Sequence, residues 1–105
     1  MVVLSELDEV QQFIVSHLAG NNEGELLFEV KRAVGREWRR RYPRWYHFFK
    51  WIPAVFAAAS QLQAQGVVAA RWGEPSTFGG RPRKIIWLTP HGDRLAAQLT
   101  KQPDA

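Results

Sequence analysis

The first helix is predicted over residues 5–19, where apolar side chains recur at helical spacing at Leu7, Val10, Ile14 and Leu18. Ser5 and Asp8 have the spacing of a capping box, with Asp8 in place of the usual Glu or Gln. Gly20 and Asn21 provide a stop signal. A second helix is predicted to begin near residues 23–25 and to end at Gly35, with its apolar stripe on Leu26, Leu27, Val30 and Val34.

The segment 36–51 mixes arginines with aromatic residues and has no clean period. Pro43 argues against one unbroken helix, so the pattern favours a basic loop with some short helix. A third helix is predicted to start at Pro53, a favoured first position, and to end at Gly66. One face of this helix carries Ile52, Val55, Ala59 and Leu62.

Two strands, residues 67–72 and 84–88, flank a loop rich in Gly and Pro and are predicted to pair as a hairpin. Trp72 and Trp87 are expected to pack from this hairpin against the helices. Thr89 and Pro90 predict the start of a last helix, which frays after Lys101. Helices followed by a hairpin indicate an α+β domain. Three helices, a two-stranded β-hairpin wing and a short C-terminal helix are the winged helix-turn-helix arrangement, here as one domain over residues 1–105.

Composition and charge limit the kinds of partner and site that this protein is expected to have. The chain of 105 residues carries a formal net charge of +4 and no cysteine. Arginine supplies most of the basic charge, and its planar fork pairs with phosphate, so a polyanionic partner is favoured. Without cysteine, disulfides and thiolate metal sites are excluded. The sequence contains no apolar run long enough for a membrane span and no signal-peptide pattern, which predicts a cytoplasmic protein without a membrane partner.

Two stretches carry a family resemblance. Residues 56–68 resemble the end of the recognition helix in PadR-like winged-helix regulators. The second stretch is Trp72-Gly73-Glu74-Pro75, Gly79-Gly80-Arg81-Pro82-Arg83-Lys84 and Leu88-Thr89-Pro90-His91-Gly92. It is similar to the family's wing and the helix start that follows. The resemblance covers roughly residues 52–99, and it implies a dimeric DNA-binding transcriptional regulator. Such proteins often sense aromatic compounds, so an aromatic small-molecule effector is a further expectation.

Candidate DNA contacts fall in three groups. At the wing, Arg81, Arg83 and Lys84 follow two glycines and would contact phosphates or enter a minor groove; the bland alternative is a solvated turn. On the third helix, the residues expected to face outward as base readers are Ala54, Ala57, Ala58, Ser60 and Gln61. They are weak readers, because only Gln61 and Ser60 offer hydrogen bonds, and the alternative is an alanine-rich packing helix.

The third group would bind phosphates of the DNA backbone and consists of Arg39, Arg40, Arg41, Arg44 and Lys50. The aromatic residues around them leave three readings open: core, stacking on unpaired bases, or a pocket for a flat ligand. The three histidines lack metal spacing, and no nucleophile motif or phosphate loop is present, so neither an enzyme nor a cofactor is expected.

The sequence therefore predicts a homodimeric regulator that binds double-stranded DNA, with the first and last helices at the dimer interface. The alternative is a winged helix that serves as a protein-interaction module, such as an assembly factor or an inhibitor of a nucleic-acid machine.

Overall fold

The computed structural model describes residues 3–43, 51–73 and 83–101 and has an α+β architecture. A 3-10 turn, Leu4–Glu6, precedes the first helix. The elements that follow are α1 (Glu9–Leu18), β1 (Glu25–Leu26), α2 (Leu27–Arg41), α3 (Trp51–Ala64), β2 (Val68–Trp72), β3 (Lys84–Leu88) and α4 (Pro90–Lys101). The four helices pack with a small antiparallel sheet.

The start of α1 differs from the prediction. Asp8, and not Ser5, is the N-cap: its carboxylate accepts a hydrogen bond from the Gln11 backbone N–H at 2.8 Å. The Gln11 side-chain oxygen accepts one from the Asp8 backbone N–H at 3.0 Å. A capping box needs a side chain at the third helical position that reaches back to the cap. Gln11 provides this length, whereas an aspartate at that position is one methylene shorter. The helix therefore begins at Glu9.

The predicted end of the second helix was wrong. Gly35 is a buried residue inside α2, which continues to Arg41 and has Tyr42 as its C-cap. A glycine in a helix interior costs about 1 kcal/mol relative to alanine. Burial of Trp38, which continues the stripe of Val30 and Val34 at four-residue spacing, outweighs that cost. Residues 36–41 are thus a continuation of α2, whereas the sequence favoured a basic loop with some short helix over 36–51.

The sheet has the strand order β1-β3-β2 and is antiparallel throughout. The predicted hairpin is confirmed: in its register Val68 lies opposite Leu88 and Trp72 opposite Lys84. The sequence missed β1, because a two-residue strand has no period of its own. Within β1, Glu25 lies opposite Ile86 and Leu26 opposite Ile85.

The C-terminal end of α3 and the start of α4 lie where local sequence signals predict them. Gly66 has a φ of +74° just after α3, as expected for a glycine that ends a helix. The Thr89 hydroxyl oxygen accepts a hydrogen bond of 3.1 Å from the Gly92 backbone N–H, and Pro90 is the first residue of α4. Both predictions are confirmed, while α3 begins at Trp51, two residues before the expected Pro53.

The hydrophobic core lies where α1, α2, α3, α4 and the sheet meet. Its largest fully buried side chains are Ile14, Leu18, Leu62, Ile86, Val15, Val30, Val34, Val55, Val67 and Val68. The helix α4 packs on α1 and contributes Leu95 and Ala96 to this core. Among the helices that the structure describes, none combines the length and the apolar character needed to cross a bilayer.

Candidate nucleic-acid interface

The outward side of α3 matches the prediction except at one residue. Ala54, Ala57, Ser60 and Gln61 are exposed, but Ala58 is only 3% exposed and belongs to the core. Among the α3 side chains that the structure describes, those of Val55, Ala58, Ala59 and Leu62 are buried. Three alanines stand in a row at 57–59, and alanine fits either side of a helix, so the pattern could not separate the buried from the exposed ones. Ala58 is therefore not a base reader.

Gln61 is engaged within the chain. Its side-chain oxygen accepts a hydrogen bond of 2.8 Å from the amide nitrogen of Gln11, which is itself buried. Bidentate recognition of adenine by a glutamine uses both the amide oxygen and the amide nitrogen. In this conformation Gln61 can offer a base only its nitrogen. In this conformation α3 therefore lacks the bidentate adenine contact that Gln61 would otherwise provide.

Two of the predicted phosphate-binding arginines, Arg40 and Arg41, take part in an ion-pair network within the chain. Glu37 accepts hydrogen bonds from Arg40 and, at 2.9 Å, from the Nε atom of Arg41. Arg41 also donates to a Glu9 carboxylate oxygen at 2.6 Å and lies over the Trp38 ring, 4.8 Å from its centroid. The hydrogen bonds from Arg40 and then Arg41 lower the pKa of Glu37 to about 2.

This network ties the end of α2 to the start of α1. The Tyr42 hydroxyl donates to the same Glu9 carboxylate at 2.9 Å, and this bond raises the pKa of Tyr42. Arg40 and Arg41 are therefore paired with the carboxylates of Glu37 and Glu9, which makes these two arginines weaker candidates for phosphate binding. Arg39 is exposed on α2, whereas Arg44 and Lys50 lie outside the described residues.

The aromatic residues of the segment 36–51 are described only in part. Trp38 is 3% exposed and meets Phe13 edge to face, with ring centroids 5.7 Å apart, so this tryptophan is a core residue. The aromatics at 45–49 lie outside the described residues. An open cleft of about 230 Å³ beside α1 is lined by Glu9, Gln12, Phe13, Ser16, Arg41 and Leu99. An aromatic effector stays a prediction, since this cleft is small and half polar.

The end of the β2–β3 hairpin gathers exposed cationic and aromatic side chains. Arg71 lies opposite Ile85, and Trp72 lies opposite Lys84. The Gly73 N–H donates to the Arg83 carbonyl oxygen at 2.6 Å, so the ladder continues beyond the strands. Arg71 and Arg83 are exposed and Lys84 is half-buried. Arg81 lies outside the described residues.

Trp72 is 68% exposed, contrary to the expectation that it packs against the helices. It lies on the same sheet face as Val68 and Ala70 because strand side chains alternate. Val68 is buried and Trp72 is exposed, so this face leaves the core along the strand. Trp87, on the opposite face, is half-buried.

Sequence reasoning missed Arg71 and Trp72 as members of this surface. Their signal was the position of the strand relative to the loop: both stand at the loop end of β2, opposite the basic start of β3. Among the described residues, no group of three His, Asp or Glu side chains could hold a metal ion. Comparison with known proteins found no matching family model, no similar curated protein and no similar solved structure.

Proposed function

We propose that this chain is a winged helix-turn-helix domain that binds double-stranded DNA as a homodimeric transcriptional regulator of the PadR-like type. The order of elements supports the first part. A short strand between α1 and α2 pairs with the second strand of the hairpin, and α3 directly precedes the hairpin. This order is typical of winged helices, in which the hairpin is the wing and the helix before it is the recognition helix.

The observation that carries DNA binding is the cationic end of the hairpin. Arg71 lies near the end of β2, Arg83 directly precedes β3, and Lys84 is the first residue of β3. Because strand side chains alternate, Arg71 and Arg83 lie on one face of the hairpin and Lys84 lies with the exposed Trp72 on the other. Adjacent strands are about 4.8 Å apart, so the cations of both faces lie close to the loop end of the hairpin, where we expect them to contact the DNA backbone. Phosphate contacts provide affinity and orientation but little sequence information. Since α3 contains no charged residue, we expect salt-sensitive binding with modest base readout.

Fluorescence anisotropy with a duplex of mixed sequence tests this proposal. The wild-type protein is titrated at several salt concentrations, and log K is plotted against log salt. Each phosphate contact adds about 0.9 to the slope, which is about 3.5-fold in affinity for a fourfold rise in salt. The double variant Arg83→Gln/Lys84→Gln is expected to lower the slope by about 1.8. The matched control is Arg94→Gln on the exposed side of α4, which is expected to leave the slope unchanged.

Two results would contradict the proposal. One is the absence of duplex binding by the wild-type protein even at roughly 50 mM salt, where electrostatic binding is strong. The other is an equal slope for the wild-type protein and the hairpin variant, which would remove the hairpin from the interface.

A second candidate function rests on α3. Its exposed side carries Ala54, Phe56, Ala57 and Ser60, and Phe56 is 42% exposed. An uncharged surface with an exposed aromatic is common in protein interfaces. A protein-interaction module would show no duplex binding at low salt. Its stoichiometric partner would be lost with Phe56→Glu and retained with Arg83→Gln.

Homodimerisation stays a prediction, and the expected interface needs revision. The apolar residues of α1 and α4 are used within the chain, where Ile14, Leu18 and Leu95 share one core. The exposed side of α4 instead carries Asp93, Arg94 and Gln98. A dimer through these two helices would therefore bury polar side chains. Sedimentation equilibrium gives the mass directly.

A further inference from the structure

The exposed face of α2 is strongly basic over its whole length. Because the helix continues through Gly35, Phe28, Arg32 and Arg36 follow one another at four-residue spacing, and Arg39 lies beside them. All four side chains are exposed. The buried residues of α2, among them Val30 and Val34, occupy the opposite side. A loop after Gly35 would have separated these arginines, so the shared face exists only through the extended helix.

Phe28 organises the first two cations of this face. The Lys31 Nζ atom lies 4.4 Å from the centroid of the Phe28 ring, and the Arg32 guanidinium carbon lies 5.0 Å from it. A cation over an aromatic face is attracted by the ring quadrupole. The ring, which is 45% exposed, therefore holds two flexible side chains in place at the surface. Side chains that are already ordered lose less entropy when they bind a ligand.

The beginning of α2 lies at the same end of the sheet as the basic end of the hairpin. Leu26, the last residue of β1, lies opposite Ile85, and Arg71 of β2 lies opposite the same Ile85 on the other side. The chain leaves β1 toward Lys84 because the two strands are antiparallel. Three adjacent strands span about 10 Å. Phe28 follows Leu26 by two residues, so the first turn of α2 begins at the end of the sheet that carries the cationic residues of the hairpin.

Within α2, Glu29 is the acidic residue beside this surface. Glu29 is 3.7 Å from an Arg32 nitrogen, and both side chains are largely exposed. An exposed ion pair of this kind contributes little, and it is screened by salt. Arg32 retains most of its five N–H donors for another anion. The face formed by Phe28, Lys31, Arg32 and Arg36 therefore remains cationic.

We propose that Lys31, Arg32 and Arg36, with Phe28 as the platform that orders the first two, bind the phosphates of the DNA backbone next to the hairpin contacts. This inference rests on the proposed DNA binding and extends it to α2. The partner follows from charge complementarity: Arg32 and Arg36, four residues apart, are separated by about 6 Å along the helix axis, and arginine pairs with phosphate through its planar fork. The base edges have no part in these contacts, so they add affinity without sequence preference.

The test measures the slope of log K against log salt for duplex binding by the full chain. The double variant Arg32→Gln/Arg36→Gln is expected to lower the salt slope of duplex binding by about 1.8. The wild-type protein would then lose about 12-fold more affinity than this variant when salt rises from roughly 50 to 200 mM. The control Arg94→Gln removes one exposed charge elsewhere and is expected to keep the wild-type slope. Thermal melting verifies that all variants are folded.

Phe28→Leu tests the platform separately. It keeps an apolar side chain at this position and removes the ring, so all cations remain. We expect affinity to fall about two- to fivefold at low salt. Wild-type affinity for this variant would show that Phe28 has no such role.

The outcomes separate the two proposals. If the wild-type protein binds duplex DNA, the hairpin variant lowers the slope and Arg32→Gln/Arg36→Gln does not, the role of α2 is overturned and DNA binding stands. If the wild-type protein does not bind duplex DNA at low salt, both are overturned.

Discussion

Gly92 is a buried residue in the first turn of α4, where the helix passes close to the end of α3. A Cβ atom at this position would lie 2.2 Å from the Val67 carbonyl oxygen and 3.0 Å from a methyl carbon of Leu88. Two hydrogen bonds hold the Val67 carbonyl group in position. It accepts hydrogen bonds from the Thr89 backbone N–H at 3.1 Å and from the Thr89 hydroxyl at 3.0 Å.

Two opposing effects decide the stability of Gly92→Ala. Alanine favours a helix over glycine by about 1 kcal/mol, which would stabilise the variant. Ordinary van der Waals contact begins near 3.4 Å, so the new methyl group requires a shift of about 1 Å between α4 and the chain at Val67. Overpacking of a fixed core typically costs about 1–3 kcal/mol and sometimes more. With a carbonyl oxygen as the obstacle, we expect the upper part of that range and a net loss of about 1–2 kcal/mol.

Thermal denaturation followed by circular dichroism measures this loss. For a domain near 100 residues, each 1 kcal/mol corresponds to roughly 4–8 °C in Tm. The expected fall for Gly92→Ala is therefore roughly 4–16 °C. Gln98→Ala, on the exposed side of the same helix, is the control and should change Tm only slightly. A Tm for Gly92→Ala equal to or above that of the wild type would refute the steric argument, since helix propensity alone would then decide.

Two further predictions concern the network at Glu37 and the cap at Thr89. The pKa of Glu37 is held near 2 by Arg40 and Arg41, below its ordinary 4.5, so its contribution to stability is complete above pH 4.5 and is lost as the pH falls toward 2. A carboxyl titration by NMR should show this, and Arg40→Gln/Arg41→Gln should return the pKa toward 4.5; a wild-type midpoint near 4.5 would contradict the network. Thr89→Val removes a hydroxyl that bonds the Val67 carbonyl and caps the Gly92 N–H, so we expect a loss of about 0.5–2 kcal/mol in urea unfolding. Thr89→Ser keeps the hydroxyl and should unfold close to the wild type; equal losses for both variants would assign the effect to packing.

The candidate interface was only partly accessible from sequence. Basic residues near the hairpin were predicted because Arg83 and Lys84 flank a loop rich in glycine. Phosphate binding by Arg40 and Arg41 stays a prediction, and the structure pairs them with Glu37 and Glu9, two carboxylates that the fold brings near them. Glu9 is on another helix, and no local pattern reveals such a distant partner.

The sequence by itself determined the elements whose signals are local. Gly66 ends α3, Thr89 and Pro90 begin α4, and the alternating strands on either side of a turn-rich loop pair as a hairpin. Each of these signals acts through the backbone within a few residues. They therefore need no information about the rest of the molecule.

The tertiary structure decided the features that depend on burial. Gly35 stays helical because Trp38 has a core to enter, and β1 exists because β3 offers a strand edge. Ala58 is buried and Ala57 exposed because α3 packs on one side only, although both side chains are the same. Packing and strand pairing select among local conformations of similar energy, and in α2 that selection aligns the arginines on one face.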